Sequence, residues 1–157
     1  RVEADEVTYA MHIILRFELE QEVFEGTLKP KDLPEVWRAR FQDYLGLELP
    51  DDSQGVLQDI HWSSGLFGYF PTYQLGNIVA SQIWEAALAD LPDLYAQFAR
   101  GEFAPLREWL RLRLHQHGKK FTPLETLAKT LDPAATAPAE IRVEPYIRYL
   151  KEKFGGM

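Results

Sequence analysis

The chain has no cysteine among its 157 residues. That excludes a disulfide framework, a thiolate nucleophile and a cysteine metal site. It also lacks cationic excess: 17 Lys and Arg against 24 Asp and Glu leave a formal charge of -7. A global basic footprint for nucleic acid is therefore missing, and the same balance disfavours an anionic membrane surface. No run approaches the roughly 18 apolar residues of a membrane-crossing helix, and no basic stretch followed by an apolar core opens the chain. The expectation is a cytoplasmic protein with no nucleic-acid and no membrane partner. Long alternation of β-branched with polar residues is missing, and no repeat is evident. There is no G-x-G-x-x-G, no G-x-x-x-x-G-K, no G-x-S-x-G and no H-E-x-x-H. His115 and His117, two apart at a helix end, face different ways, so a favourable interaction with the helix C-terminus outweighs a zinc site there.

What is present reads as helix. Hydrophobic content of 46% and charged content of 26% are globular values, and the length suits one domain with a real core. Residues 5–19 carry no Gly or Pro, and Val7, Ala10, Met11, Ile14, Leu15 and Phe17 recur at helical spacings. Asp5 suits the start and Gly26 the end. The run is apolar enough that much of its circumference is expected to be buried. Further helices are predicted from Leu33-Pro34 to about Gly46, from Pro71 to Leu91, over 92–100 with Leu94, Tyr95 and Phe98 buried, and from Phe103 to Leu114. Thr122-Pro123-Leu124-Glu125 is a capping box opening a short helix to Leu131, and 144–154 forms the last. The expected fold class is all-α, about seven helices in a single helical domain over 1–157, with 132–143 a flexible loop.

Two stretches bear on function. Asp5, Tyr9, His12 and Arg16 are spaced four, three and four apart and form one stripe on the first helix. Histidine and arginine among buried positions need partners or a wet cleft. Either they form a structural network, with Arg16 paired to Asp5, Glu18 or Glu20, or they form a wall that handles anions, since arginine holds carboxylates through paired donors. Residues 59–77 place His61, Trp62, Phe67, Tyr69, Phe70 and Tyr73 between glycines. Such a segment either offers Tyr and His groups to a cleft or fills the core as an aromatic turn.

Three separated motifs carry a resemblance. Arg1-x-x-Ala4-Asp5-Glu6-x-x-Tyr9-x-x-His12-x-x-x-Arg16-x-x-x-Glu20 comes first. Gly55-Val56-Leu57-Gln58-Asp59-Ile60-His61-Trp62, with Gly65-x-x-Gly68-Tyr69-Phe70-Pro71-Thr72-Tyr73-x-Leu75-Gly76-Asn77, follows. Trp109-Leu110 with His115-x-His117-Gly118 is the third. Together they resemble the HExxH zinc carboxypeptidases of thermostable bacterial and archaeal type, over roughly residues 1–131 and again at Tyr149–Phe154. The resemblance implies an almost wholly helical enzyme around a deep groove, a homodimer, using zinc or cobalt to release C-terminal amino acids. It implies that the HExxH segment lies upstream, so that this chain corresponds to the last third, holds no cofactor itself and is inactive alone. Within that frame His12 is the candidate catalytic residue. Arg1, Tyr9, Arg16, His61, Tyr69 and Tyr73 are candidates for binding the peptide substrate's C-terminus, and the N-terminal HExxH portion is the expected partner. A non-catalytic helical interaction or dimerisation module is the alternative.

Overall fold

A computed structural model describes residues 4–156. Seven α-helices follow in order: α1 (Tyr9–Glu25), α2 (Leu33–Leu45), α3 (Phe70–Asp90), α4 (Leu94–Ala99), α5 (Ala104–Arg113), α6 (Pro123–Leu131) and α7 (Glu144–Phe154). Single 3-10 turns sit between some of them. The chain divides into two compact units, one up to Leu75 and one from Gly76 onward, so the boundary falls inside α3.

In the first unit, α1 and α2 run antiparallel. Glu22 pairs with Arg40, and one helical turn back on α1 Glu18 takes the Tyr44 hydroxyl, one turn on along α2. Between them Leu15, Leu19, Leu28, Trp37 and Phe41 form the core, with Val23, Leu49, Val56 and Trp62 packed against it. Both helices stop where glycine supplies the left-handed backbone that other residues avoid: Gly26 at φ 76° and Gly46 at φ 67°.

The first helix differs from its sequence reading in two respects. It begins at Tyr9, because the Asp5 carboxylate accepts the N–H groups of Val7 and Thr8 and caps a separate turn ahead of the helix. Its buried residues are Ile13, Leu15, Leu19 and Glu20, whereas Ile14, Phe17 and Phe24 are exposed, as is Val7 just before it. Within the unit α2 and the aromatic segment cover only one side of α1, so an apolar circumference is not a buried one.

In the second unit, Gln82 is 2% exposed and replaces a backbone partner for the loop after α6. Its side-chain amide donates to Glu140 O at 3.1 Å and accepts from Arg142 N at 3.0 Å. The same loop is held near its start by Lys129 Nζ, which donates to Pro133 O and Ala135 O. Residues 132–143 thus lack helix but carry ties at both ends. Asp90 accepts from Trp109 Nε1 and Arg113, joining α3 to α5. On α4 Leu94 is buried, but Tyr95 is 63% exposed, against the sequence reading. Its ring meets Trp84 edge to face, 6.0 Å between centroids, which leaves the outer face in solvent.

The capping box of α6 is complete: the Glu125 N–H reaches Thr122 Oγ1, and the Thr122 N–H reaches Glu125 Oε2. These bonds hold the Glu125 carboxyl below its ordinary 4.5, the Thr122 hydroxyl first and its backbone N–H second. A depressed carboxyl contributes stability above its unfolded value and loses it as pH falls through the folded one. Thr122→Ala is expected to cost about 1 kcal/mol at neutral pH, read from the denaturant midpoint. The difference from wild type should shrink once pH drops below the folded value of Glu125. An equal penalty at both pH values would exclude the reciprocal cap.

Candidate functional site

The stripe on α1 and the segment after residue 58 meet in the first unit. A cleft of about 290 Å³ is lined by Tyr9, His12, Ile13 and Arg16 from α1, by Ala4, and by Gln58, Asp59, Ile60, His61, Phe70 and Tyr73. Five of the seven residues singled out from sequence, Tyr9, His12, Arg16, His61 and Tyr73, therefore share one wall. Tyr69 stands behind it, stacked on His61 at 5.9 Å and edge-to-face with Tyr73 at 5.2 Å. Arg1 lies outside the described residues.

Asp59, unassigned as a site residue from sequence, organises this wall. Its side chain is 2% exposed. Oδ2 accepts from Arg16 Nε at 3.2 Å, while Oδ1 accepts the backbone N–H groups of His61 at 2.8 Å and Trp62 at 3.1 Å. This is the local turn an aspartate makes when its oxygen caps the residues two and three ahead. The Asp59-Ile60-His61-Trp62 spacing carries that signal; the ion pair with Arg16, 43 residues away, does not show in any local pattern.

Arg16 is 11% exposed at its side chain. Its guanidinium also donates from Nη1 to His12 O at 2.8 Å and lies over Trp37 at 4.8 Å and Phe70 at 5.6 Å. Burial pulls its pKa below the ordinary value, and the charge and hydrogen bond of Asp59 oppose the shift. Asp59, not Asp5, Glu18 or Glu20, is thus its acid. Glu18 and Glu22 serve α2 instead, and buried Glu20 accepts from Trp62 Nε1 at 2.7 Å and from the Gly68 N–H. Glu20 thereby pins the aromatic segment to α1, a second role that sequence reading left unassigned.

His61 is the centre of the aromatic group. Its ring lies 4.6 Å from Phe70, and Nε2 is 3.1 Å from the Tyr73 hydroxyl. The Tyr73 phenol is raised above its ordinary value, by partial burial first and then by the Tyr69 and Tyr9 phenols and the Asp59 charge. His12 sets its ring edge-on to Phe41 at 5.5 Å, one turn before Arg16.

A family model described as carboxypeptidase Taq (M32) metallopeptidase matches residues 1–154. The chain belongs to the M32 carboxypeptidase family. It is 46% identical to thermostable carboxypeptidase 1 of Thermus thermophilus over 157 residues, all of this chain and 30% of that protein. Carboxypeptidase 1 of Bacillus subtilis is 43% identical over the same length, again 30% of its own. The crystal structure of an M32 carboxypeptidase from Deinococcus radiodurans superposes with a TM-score of 0.90 at 40% identity, over 99% of this chain and 30% of that one. The all-α architecture is therefore the helical M32 fold, and the chain spans about 30% of the length of the relatives it matches.

M32 enzymes are metallopeptidases by the family's description, so the donor set matters. Among the described residues no group of three or more His, Cys, Asp or Glu side chains is placed to hold a metal ion. The buried acids of the unit are already engaged: Asp59 by Arg16 and two backbone N–H groups, Glu20 by Trp62 and Gly68. The described residues thus offer no donor set that fits the metal.

The buried pair makes a stability prediction. Removing one partner of a buried ion pair costs about 3–5 kcal/mol, whereas replacing both with apolar residues is often neutral. Arg16→Met is expected to destabilise by about that amount, and Arg16→Met with Asp59→Leu to recover part of it, since the backbone N–H groups of His61 and Trp62 stay uncapped. Chemical denaturation of the three proteins decides. A single variant as stable as wild type would show that the pair carries no weight.

Proposed function

We propose that this chain supplies the substrate-binding wall of a metallocarboxypeptidase that releases C-terminal amino acids from peptides, with the catalytic metal, zinc or cobalt, held by residues outside it. The observation that carries the reading is the convergence of Tyr9, His12, Arg16, His61 and Tyr73 on one cleft in an M32 family member. A carboxypeptidase must grip a terminal carboxylate and reject internal peptide bonds. Arg16 suits the grip: a guanidinium held by Asp59 is pre-oriented, and its fork matches a carboxylate. Tyr9, His61, Tyr69 and Tyr73 shape the wall around the last residue of the peptide, and Arg1, by its charge, is a further candidate grip. His12 is the catalytic candidate, orienting the scissile carbonyl or donating to the oxygen on which charge develops.

The kinetic test uses the polypeptide that carries this segment together with the metal-binding residues. Arg16→Lys keeps a cation beside Asp59 but loses the fork. A charged hydrogen bond is worth about 1.5–3 kcal/mol, so kcat/KM should fall roughly tenfold to a hundredfold. Unchanged kinetics would remove Arg16 from the site. For His12→Ala the expected signature is a larger drop in kcat than change in KM. Lower thermal stability with kcat intact would make His12 structural. The 157-residue chain alone, given zinc or cobalt, should not hydrolyse a blocked dipeptide. Turnover abolished by a chelator would overturn the assignment of the metal to other residues.

A second reading, a helical interaction or homodimerisation module, draws on the exposed apolar side of Val7, Ile14, Phe17 and Phe24. Sedimentation of the chain alone separates the readings. A tight dimer that binds neither a free-acid peptide nor its amide would favour the module.

A further inference from the structure

Asp59 does more than pair with Arg16. Its Oδ1 lies 3.8 Å from His61 Nδ1, too far for a hydrogen bond but close enough for a charge to act across a buried gap. That Nδ1 is buried and has no hydrogen-bond partner. The other ring nitrogen, Nε2, faces the Tyr73 hydroxyl at 3.1 Å. A neutral imidazole carries one N–H and one bare lone pair, and the neighbours of the two nitrogens decide which is which. A bare Nδ1 would set its lone pair beside a carboxylate oxygen, whereas an N–H there would set a positive hydrogen beside it.

We propose that Asp59 is a positioning residue that fixes the proton of His61 on Nδ1, which leaves Nε2 to accept the Tyr73 hydroxyl and turns the Tyr73 oxygen toward the cleft as an acceptor. The direction of the contact then follows from one charge: Tyr73 Oη–H to His61 Nε2, and His61 Nδ1–H toward Asp59. Asp59 thus sets both polar faces of the wall. It holds the Arg16 fork as a donor on one side and makes Tyr73 an acceptor on the other. A ligand with a carboxylate and a nearby N–H, which is the end of a peptide, presents the complementary pair. This last step rests on the carboxypeptidase reading; the tautomer does not.

The test reads the imidazole directly, by long-range proton–nitrogen correlation on histidine-labelled protein, with the His61 signals assigned as those lost in His61→Gln. The expected wild-type pattern is a protonated Nδ1 and a bare Nε2. Tyr73→Phe removes the partner at Nε2 but keeps Asp59, so the pattern should persist. Asp59→Asn removes the charge while its amide oxygen can keep the backbone caps of His61 and Trp62, so the proton should shift to Nε2. A wild-type Nε2–H, a pattern lost in Tyr73→Phe, or a folded Asp59→Asn with Nδ1 still protonated would each overturn the proposal. If Asp59→Asn does not fold, wild type and Tyr73→Phe decide between them. No peptide enters these measurements, so a failure of the carboxypeptidase reading appears separately, as equal binding of a free-acid peptide and its amide.

Discussion

The first unit depends on one buried charge pair. Arg16 and Asp59 sit on segments that share no local pattern, and neither side chain has a good alternative partner at hand in the core. A guanidinium left against Trp37 and Phe70 without Asp59 would lose its hydration with only ring faces and the His12 carbonyl in return. A carboxylate left alone would keep its backbone caps but carry an uncompensated charge. Pairing them fixes the register between α1 and the segment after residue 58. Once that register is set, Glu20 meets Trp62 and Gly68 one turn further along α1, and the aromatic rings close over the same side of the helix. The cleft is what remains between the two attachments.

The pair also bears on the proposed carboxylate grip of Arg16 in a protein of charge -7. Net charge speaks to distant steering, which here would repel an acidic ligand. Recognition at contact range depends instead on donors held in place. With Asp59 paired to Arg16, the proposed grip would offer directed N–H groups more than an electrostatic well.

Helices were the most legible part of the sequence. Gly26 and Gly46 end α1 and α2 where a left-handed residue is needed, and Thr122 with Glu125 opens α6, because caps are written within four residues of one another. The stripe of Tyr9, His12 and Arg16 was legible for the same reason: helical period alone puts them on one face. What periodicity does not reach is the partner across space. It supplied Asp5, Glu18 and Glu20 as acids for Arg16, all local, and the structure uses Asp59. It likewise expected much of the circumference of α1, and Tyr95, to be buried, since an apolar residue announces an affinity for cover but not which neighbour, if any, provides it.

The Gln82 clamp has a consequence for how the chain can vary in length. The connection between α6 and α7 is fastened at Pro133 and Ala135 by Lys129 and at Glu140 and Arg142 by Gln82. Only the few residues around 136–138 hang between the two fastenings. Insertions or deletions elsewhere in the connection would slide a carbonyl out of reach of its donor, whereas extra residues near Ala137 would add slack without touching either tie. A connection that looks in sequence like free spacer is, along most of its length, a measured strap with one adjustable hole.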